Sequence, residues 1–419
     1  MGPAPGTAVS LSHPDFWARP PAEREAAFAA LRRETPVSWQ PPTEGGLRLL
    51  PPGPDDGGYW AIVRHDDVVA VSRDPETFSS ASGITLEPIP VELVEVTASI
   101  IAMDAPRHTR FRQLISSAFT PRRVAHIEGR IAQQAAVIVD GLLERGPCDF
   151  VDAVSERLPM WTIAEMVGVP ADDRDRVTGA ANAIVAWNDP EFHDNRHPLD
   201  AFIGSMIELR TAAMALAEFR RRHSADDLMS GLVQAEVDGQ GLTDDEIGAF
   251  FVLLSVAGND TTRNTISHAM LGLSRFPGQR AWLRDDFAGR HRTAVEEFVR
   301  WATPVINFRR TARRDLLLRG QEIHEGDWVV LFYASANRDE NVFADAGRLD
   351  LGRHPNPHVG FGGGGPHFCL GAFLARTQLR AIFDQLLHRV PGLEVGDPEY
   401  LVSNFISGIK RLPCDFLRP

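Results

Sequence analysis

The sequence predicts a mainly α-helical fold with small β-sheets at its margin, and three observations carry that reading. Apolar residues recur every three to four positions over six long segments, the spacing of a helix that buries one face. Strand-like alternation is confined to a few short stretches. No charged or Ser-rich linker divides the 419 residues, whose 43% hydrophobic and 24% charged composition suffices for a large core. One domain over residues 1–419 follows, with a β-containing N-terminal margin at about 36–70 and a special loop at 358–371.

"PAEREAAFAALRRE" is the first clear helix, and the Pro/Gly-rich tract at 41–58 is a loop before the strand-like "YWAIVRH". "HTRFRQLISSAF" and "RRVAHIEGRIAQQAAVIVDGLLER" follow as helices. Next comes a helix of about thirty residues, "DEIGAFFVLLSVAGNDTTRNTISHAMLGLSRF". Its start carries a capping box, in which Thr243 caps the backbone and Glu246 reaches back. Its middle is irregular: Gly258 costs roughly 1 kcal/mol against Ala inside a helix, and Asn259, Asp260, Thr261 and Thr262 prefer caps and turns. Two readings stand here, a polar contact inside a core helix or a local opening of the hydrogen-bond ladder toward a cofactor or water. "RTAVEEFVRWA" is helical and "DLLLRGQEIHEGDWVVLFYASAN" returns to strands. "CLGAFLARTQLRAIFDQLLHRV" closes the series, with an apolar stripe of Leu379, Ile382, Phe383, Leu386 and Leu387 ended by Pro391 and Gly392. No repeat at solenoid or propeller spacing is present.

A net charge of −13 argues against a nucleic-acid binder, which needs clustered Lys and Arg. A small-molecule enzyme is the better expectation. The three cysteines, Cys148, Cys369 and Cys414, are too widely spaced to announce a disulfide framework or paired zinc ligands, so Cys148 and Cys414 read as inert small hydrophobes in a reducing cytoplasm. The N-terminus lacks the basic start and apolar run of a signal peptide, and the longest apolar stretch, "FFVLLSVA", falls well short of the ~20 residues that span a bilayer.

The ten residues "GGGGPHFCLG" concentrate the chemistry. A phosphate loop needs Lys-Ser/Thr after its glycines, and "PHFCLG" stands there instead. A zinc knuckle fails for want of partner ligands. A plain turn before a helix remains one reading. The other is a reactive thiolate: Cys369 opens a helix whose dipole and free N–H groups favour the anion, and the glycines let backbone approach a large planar ligand.

These residues resemble the cytochrome P450 monooxygenases. "FGGGGPHFCLG" looks like their haem-ligand loop, "AGNDTT" their oxygen-activating helix and "EFVR" their Glu-x-x-Arg motif. "DAPRHTRFR" is similar to their haem-edge helix, "FRRTARRD" to their propionate-binding segment and "ANRDENVF" to the approach to the final loop. "HPNPHVGFGGGG" and "VRWATPV" have the look of actinobacterial members that oxidise sterol side chains and methyl-branched lipids. One departure is visible: the family's Phe seven residues before the Cys is here Gly362, with Phe361 one place earlier.

The resemblance implies a single P450 fold with a long kinked helix over haem b, and Cys369 as the axial ligand of its iron. It implies proton delivery by Asp260 and Thr261, and a structural pair in Glu297 and Arg300. His108, Arg112, Arg310 and His367 are implied for the propionates, a slip of one residue exchanging Arg310 with Arg309. Ala257, Gly258, Phe361 and Gly371 complete the haem contacts. The implied reaction inserts one atom of O2 into a C–H bond with electrons from NAD(P)H. No G-x-G-x-x-G after a strand and no ferredoxin-type cysteine set is present, so a ferredoxin and its reductase are the implied partners. Arg353, His354, His358, Arg376 and Arg380 flank the loop, either as a basic docking patch or as an ordinary solvated face. Ile84, Leu86, Val185, Leu254, Val305, Ile306, Phe405 and Ile406, within "GITLEPIPVELVEV", "ANAIVAWNDPEF" and neighbouring segments, form an expected apolar pocket for a branched lipid, isoprenoid or sterol side chain hydroxylated at a terminal methyl. The alternatives are a tailoring hydroxylase of a terpenoid or macrolide, a peroxide-driven variant, and a haem sensor without turnover.

Overall fold

The computed structural model describes residues 9–45, 57–86, 99–118, 121–187, 189, 191 and 197–416, with backbone alone at 117–118 and 121–125. In chain order its helices are α1 Pro14–Ala18, α2 Pro21–Glu34, α3 His65–Ser72, α4 Arg107–Ala118, α5 Pro121–Arg145, α6 Arg157–Val167 and α7 Arg174–Val185. They continue as α8 Pro198–Arg222, α9 Leu228–Gln234, α10 Asp244–Arg275, α11 Pro277–Asp285, α12 Phe287–Ala302, α13 Tyr333–Ala336 and α14 Ala372–Arg389. The strands are β1 Val37–Gln40, β2 Tyr59–Ile62, β3 Phe78–Ser79, β4 Cys148–Asp149, β5 Glu236–Val237, β6 Gln240–Gly241 and β7 Asn307–Ala312. After them come β8 Leu316–Leu318, β9 Gln321–Ile323, β10 Trp328–Phe332, β11 Glu394–Val395, β12 Glu399–Tyr400, β13 Ile409–Arg411 and β14 Pro413–Asp415. None of the described helices is long and apolar enough to cross a membrane.

Helix α10 is the axis of the molecule. The Thr243 hydroxyl accepts from the Glu246 N–H at 3.2 Å, and Glu246 accepts the Thr243 N–H at 2.9 Å, so the capping box forms as its sequence requires. The C-terminal half of α10 packs Ile266, Met270 and Leu273 against Phe298 of α12 and the whole apolar stripe of α14. Its N-terminal half packs Ile247, Phe250 and Phe251 against Ile163 of α6 and Leu209 and Leu216 of α8. Each such side chain, fully buried, contributes about 1.5–3 kcal/mol, so α10 is fixed along its length by packing rather than by propensity.

The "AGNDTT" stretch does not open the ladder: Asp244–Arg275 is one continuous 32-residue helix. Its polar side chains bond back along the helix, Thr261 Oγ1 donating to the Ala257 carbonyl at 2.8 Å and Asn264 Nδ2 to the Asp260 carbonyl at 3.0 Å. Gly258 has a packing reason. A Cβ there would lie 2.5 Å from Ile163 Cδ1, so the glycine lets α6 approach α10 closely.

The largest sheet has the order β1-β2-β10-β7-β3, with β2 and β10 parallel and the other pairs antiparallel. Strand β2 is buried at all four positions because it lies inside this sheet. Residues Tyr333–Ala336, expected as the end of a strand, turn into α13. On β7, Arg309 faces Val330 and Arg310 faces Val329 in the register, so the two arginines point to opposite sides of the sheet. A second sheet, β11-β14-β4, sets Cys414 directly opposite Cys148 with the sulfurs 3.8 Å apart. Sequence spacing hid this pairing, because 266 residues separate the two.

Glu297 and Arg300 on α12 are both fully buried and form a two-pronged ion pair at 2.7 and 2.6 Å. The remaining Arg300 hydrogens go to the carbonyls of Asn337, Ala346 and Arg348. The remaining Glu297 lone pairs take Arg353 Nε, the Asp350 N–H and Asn356 Nδ2. Removing one charge strands the other. Glu297→Gln is expected to lower the unfolding free energy by about 3–5 kcal/mol. Equilibrium urea denaturation checks this, and an unchanged midpoint would contradict it.

Candidate active site

The cysteine loop is held from outside. The Val359 N–H donates to Asn337 Oδ1 at 2.8 Å, tying the loop's start to the segment that Arg300 organises. The Cys369 N–H closes the turn on the Phe361 carbonyl at 3.0 Å. The Phe361 ring lies 4.4 Å beneath the Arg376 guanidinium and beside Phe368, half-buried against the α14 core. Gly362, Gly364 and Gly365 take φ of +96, +93 and +75°, a region that side chains disfavour. Added Cβ atoms at Gly363 and Gly365 would come within 2.5 Å of Ser72 Oγ and 2.4 Å of its carbonyl. Gly363 and Gly365 therefore give the loop its close contact with α3.

Cys369 stands three residues ahead of α14, on the turn capped by Gly371, and both are exposed. Desolvation pushes its thiol above the ordinary value, against the N–H groups of Gly371 and Ala372 and the charges of Arg112 and Arg376, which favour the thiolate. A bound cation reverses that balance, because a coordinating thiol gives up its proton. Among the described residues no three His, Cys, Asp or Glu side chains come together to hold a metal ion.

Beside the thiol lies a cluster short of anions. The His108 and His367 rings are 4.5 Å apart, and His108 Nε2 is buried without a hydrogen-bond partner. Desolvation, then Arg310 and His108, depress His367 to about 3, and desolvation followed by Arg112 lowers His108. Both imidazoles are thus held neutral. Arg112 donates to the carbonyls of Pro366 and Phe368, and Arg310 to that of Arg309. Asp104, the carboxylate in this region, is taken up by Ser79, Ser80 and Arg313. Two arginines, two neutral histidines and an orphaned ring nitrogen fit a pair of carboxylates. Arg309 leaves the cluster: its guanidinium lies 3.8 Å over Trp328, and its Nε bonds the Gly83 carbonyl at 3.3 Å. That separates the two neighbours which the sequence left interchangeable. Tyr333, buried and bonded to Arg310 and Ser72, is a further member that sequence gave no sign of.

One row on α10 faces open space. Ala257 is exposed in the middle of a buried helix, and Leu254 and Thr261, its three- and four-residue neighbours, are half-buried. Asp260 is turned away from that row into the protein, 2% exposed, paired with Arg263 and bonded by Asn264 at 3.2 Å. Desolvation, reinforced by Glu156, raises its pKa against Arg263 and Asn264. Glu156 also belongs to a polar chain, accepting from Asn182, which accepts from Asn259 at 3.1 Å. Sequence reading missed this chain, whose members lie on α7, α10 and the turn before α6.

The expected pocket divides. Ile84, Val185, Leu254, Val305 and Phe405 are half-buried, and Val305 pairs with Ile406 in an antiparallel bridge that brings the C-terminal segment to the end of α12. Leu86 and Ile306 instead belong to a core with Phe28 and Phe332, and Ile406 is 4% exposed, so these three are packing residues. Residues 87–96 of the first pocket segment, and 188, 190 and 192 of the second, lie outside the described residues. The basic patch is also thinner than expected. Arg353 is buried on Glu297 and His358 on Glu296, Arg376 and Arg380 are half-buried and paired with Glu296 and Glu128, and His354 is exposed.

Comparison with known proteins gives this geometry a family. Residues 291–390 match the model of the family described as cytochrome P450. A methyl-branched lipid omega-hydroxylase of Mycobacterium tuberculosis (strain ATCC 25618 / H37Rv) is 46% identical over 97% of this chain and 94% of its own. A steroid C26-monooxygenase of Mycolicibacterium smegmatis is 40% identical over 93% and 90%. Among solved structures, a Mycobacterium marinum cytochrome P450 in complex with pseudoionone superposes with a TM-score of 0.94 at 52% identity, covering 99% of this chain and 100% of that one. With relatives at this identity over nearly its whole length, and with its lone thiol between an anion-seeking cluster and an open helix face, the chain belongs to the cytochrome P450 family and is a haem-thiolate monooxygenase.

Proposed function

We propose that this protein, one P450 domain over residues 1–419 acting in the cytoplasm, hydroxylates a terminal methyl of a methyl-branched lipid or isoprenoid. The observation that carries the reading is the open row of Leu254, Ala257 and Thr261 on α10, together with the half-buried Val305 and Phe405, in a chain whose relatives include a methyl-branched lipid omega-hydroxylase. Pseudoionone, the ligand of the neighbouring structure, is itself a methyl-branched isoprenoid.

Cys369 would hold the iron, with Arg310, Arg112, His108 and His367 holding the propionates. Bound haem b supplies activation of O2 and oxygen insertion into an unactivated C–H bond. The chain supplies position and protons. Asp260, held inside by Arg263 and Asn264, and Thr261, which presents a hydroxyl on the open face, would carry protons to the site. The apolar wall must place a methyl carbon ahead of its weaker tertiary neighbour, and near-attack positioning is strong enough to do so. Electrons from NAD(P)H would arrive through a ferredoxin and its reductase. His354, Arg376, Arg380 and the exposed Phe368 and Phe373 offer a surface outside the cysteine loop for that contact.

Cys369→Ser is expected to abolish the thiolate absorbance of the reduced carbon monoxide complex and all oxygenation, while Cys148→Ser and Cys414→Ser keep both. The reverse pattern would reassign the ligand.

Thr261→Ala is expected to bind haem and substrate nearly as the parent does, while product per electron consumed falls about 10²-fold, within the usual worth of positioned proton transfer. Measured NADPH, peroxide and product decide it. Unchanged coupling would remove Thr261 from proton delivery.

Product analysis in a reconstituted ferredoxin system, with a linear and a methyl-branched fatty acid or isoprenoid of equal length, tests the function itself. Tighter binding and terminal oxidation of the branched chain are expected. Attack at internal or tertiary carbons alone, or turnover of a macrolide or polycyclic terpenoid while both lipids are ignored, would overturn it.

A further inference from the structure

The pair of sulfurs on β4 and β14 lies outside the haem site, and the monooxygenase reaction makes no use of it. Cys148 and Cys414 are partners in the antiparallel register, and their sulfurs lie 3.8 Å apart. Residues directly opposite in such a pair have Cα atoms about 4.5–5.5 Å apart, inside the roughly 4.4–6.8 Å range that a disulfide accepts. A rotation of the side chains therefore suffices to close the bond. Cys148 is half-buried and reachable, whereas Cys414 is 5% exposed. One sulfur is the entry point and the other the resolving group.

We infer that Cys148 and Cys414 form a peroxide-oxidised, reversible disulfide that clasps the C-terminal sheet to β4. In the first step the Cys148 thiolate attacks one oxygen of hydrogen peroxide, breaking the O–O bond to give a sulfenic acid and hydroxide. In the second, the Cys414 sulfur displaces hydroxide from the sulfenyl sulfur and forms the S–S bond. Over both steps two thiols lose two electrons and two protons, and hydrogen peroxide becomes two waters. Hydrogen peroxide is also what a monooxygenase releases when electrons reach oxygen and no C–H bond is oxidised. The clasp would then respond to the enzyme's own wasted turnover. In a reducing compartment a disulfide of this kind is transient and regulatory rather than structural.

Burial, joined by the neighbouring Cys148, pushes the Cys414 thiol up to about 12. That agrees with Cys148 acting as the nucleophile toward peroxide. The consequence for the active site runs through the chain. Strand β14 follows β13 directly, and β13 follows Phe405 and Ile406, the latter bridged to Val305. Clasping β14 to β4 anchors the base of that pocket wall and slows its movement.

The holoenzyme without substrate is treated with hydrogen peroxide, blocked with iodoacetamide, digested without reductant and mapped by mass spectrometry. A fragment pair joined through Cys148 and Cys414 is expected, reversed by dithiothreitol, with the reduced carbon monoxide spectrum retained. The oxidised form should melt at a higher temperature, by several degrees, and release bound substrate more slowly than the reduced form. Cys414→Ser should leave a Cys148 sulfenic acid that dimedone traps. If that variant does not fold, the map of the unaltered protein still decides. Both thiols remaining open to iodoacetamide, Cys148 over-oxidised to the sulfinic acid beside an intact Cys414, or a link running between chains would each overturn the inference.

Discussion

The buried pair of Glu297 and Arg300 is the constraint on which the catalytic end of this molecule depends. Two fully desolvated charges are tolerable only when every lone pair and hydrogen is used, and here the partners are backbone groups of 337–350 together with Arg353 and Asn356. That stretch has almost no regular structure of its own after α13. The ion pair substitutes for a sheet or helix in fixing it. Asn337, positioned in this way, receives the start of the cysteine loop, and the loop carries Cys369. The geometry of the thiol is thus inherited from a helix whose residues never touch the reaction.

Around the thiol, the rules of a stable interior are broken in two places and kept elsewhere. The cluster of Arg112, Arg310, His108 and His367 sets two guanidinium groups beside two neutral imidazoles and leaves a ring nitrogen without a partner. On α10 an alanine and a threonine face space at a depth where packing is otherwise complete. Next to them Asp260 is enclosed and salt-bridged, so the two members of the acid–alcohol pair occupy different environments, one dry and one open.

Much of this was legible in the sequence. The helix spans of α2 and α10, the capping box and the α14 stripe follow from short-range periodicity and end signals, and the structure reproduces them nearly residue for residue. Cys369 and Glu297/Arg300 were legible because their motifs are contiguous. What stayed hidden depends on distant partners. Nothing local says that Gly258 makes room for Ile163, that Gly363 and Gly365 serve Ser72, or that Arg309 stacks on Trp328 while Arg310 does not. Leu86, Ile306 and Ile406 were apolar as a pocket requires, yet apolar side chains line a core and a cavity alike, and burial alone separates them.

The parallel pairing of β2 with β10, and the seating of the glycine run on α3, join residues 59–72 to residues 328–365. During synthesis the early strand and helix leave the ribosome long before their partners exist. At about 5–20 residues per second the interval is roughly 10–50 s. Throughout that time β2 presents an apolar edge with nothing to pair it. The cysteine loop is the late partner in the same way, since its glycines close on α3, which is made long before them.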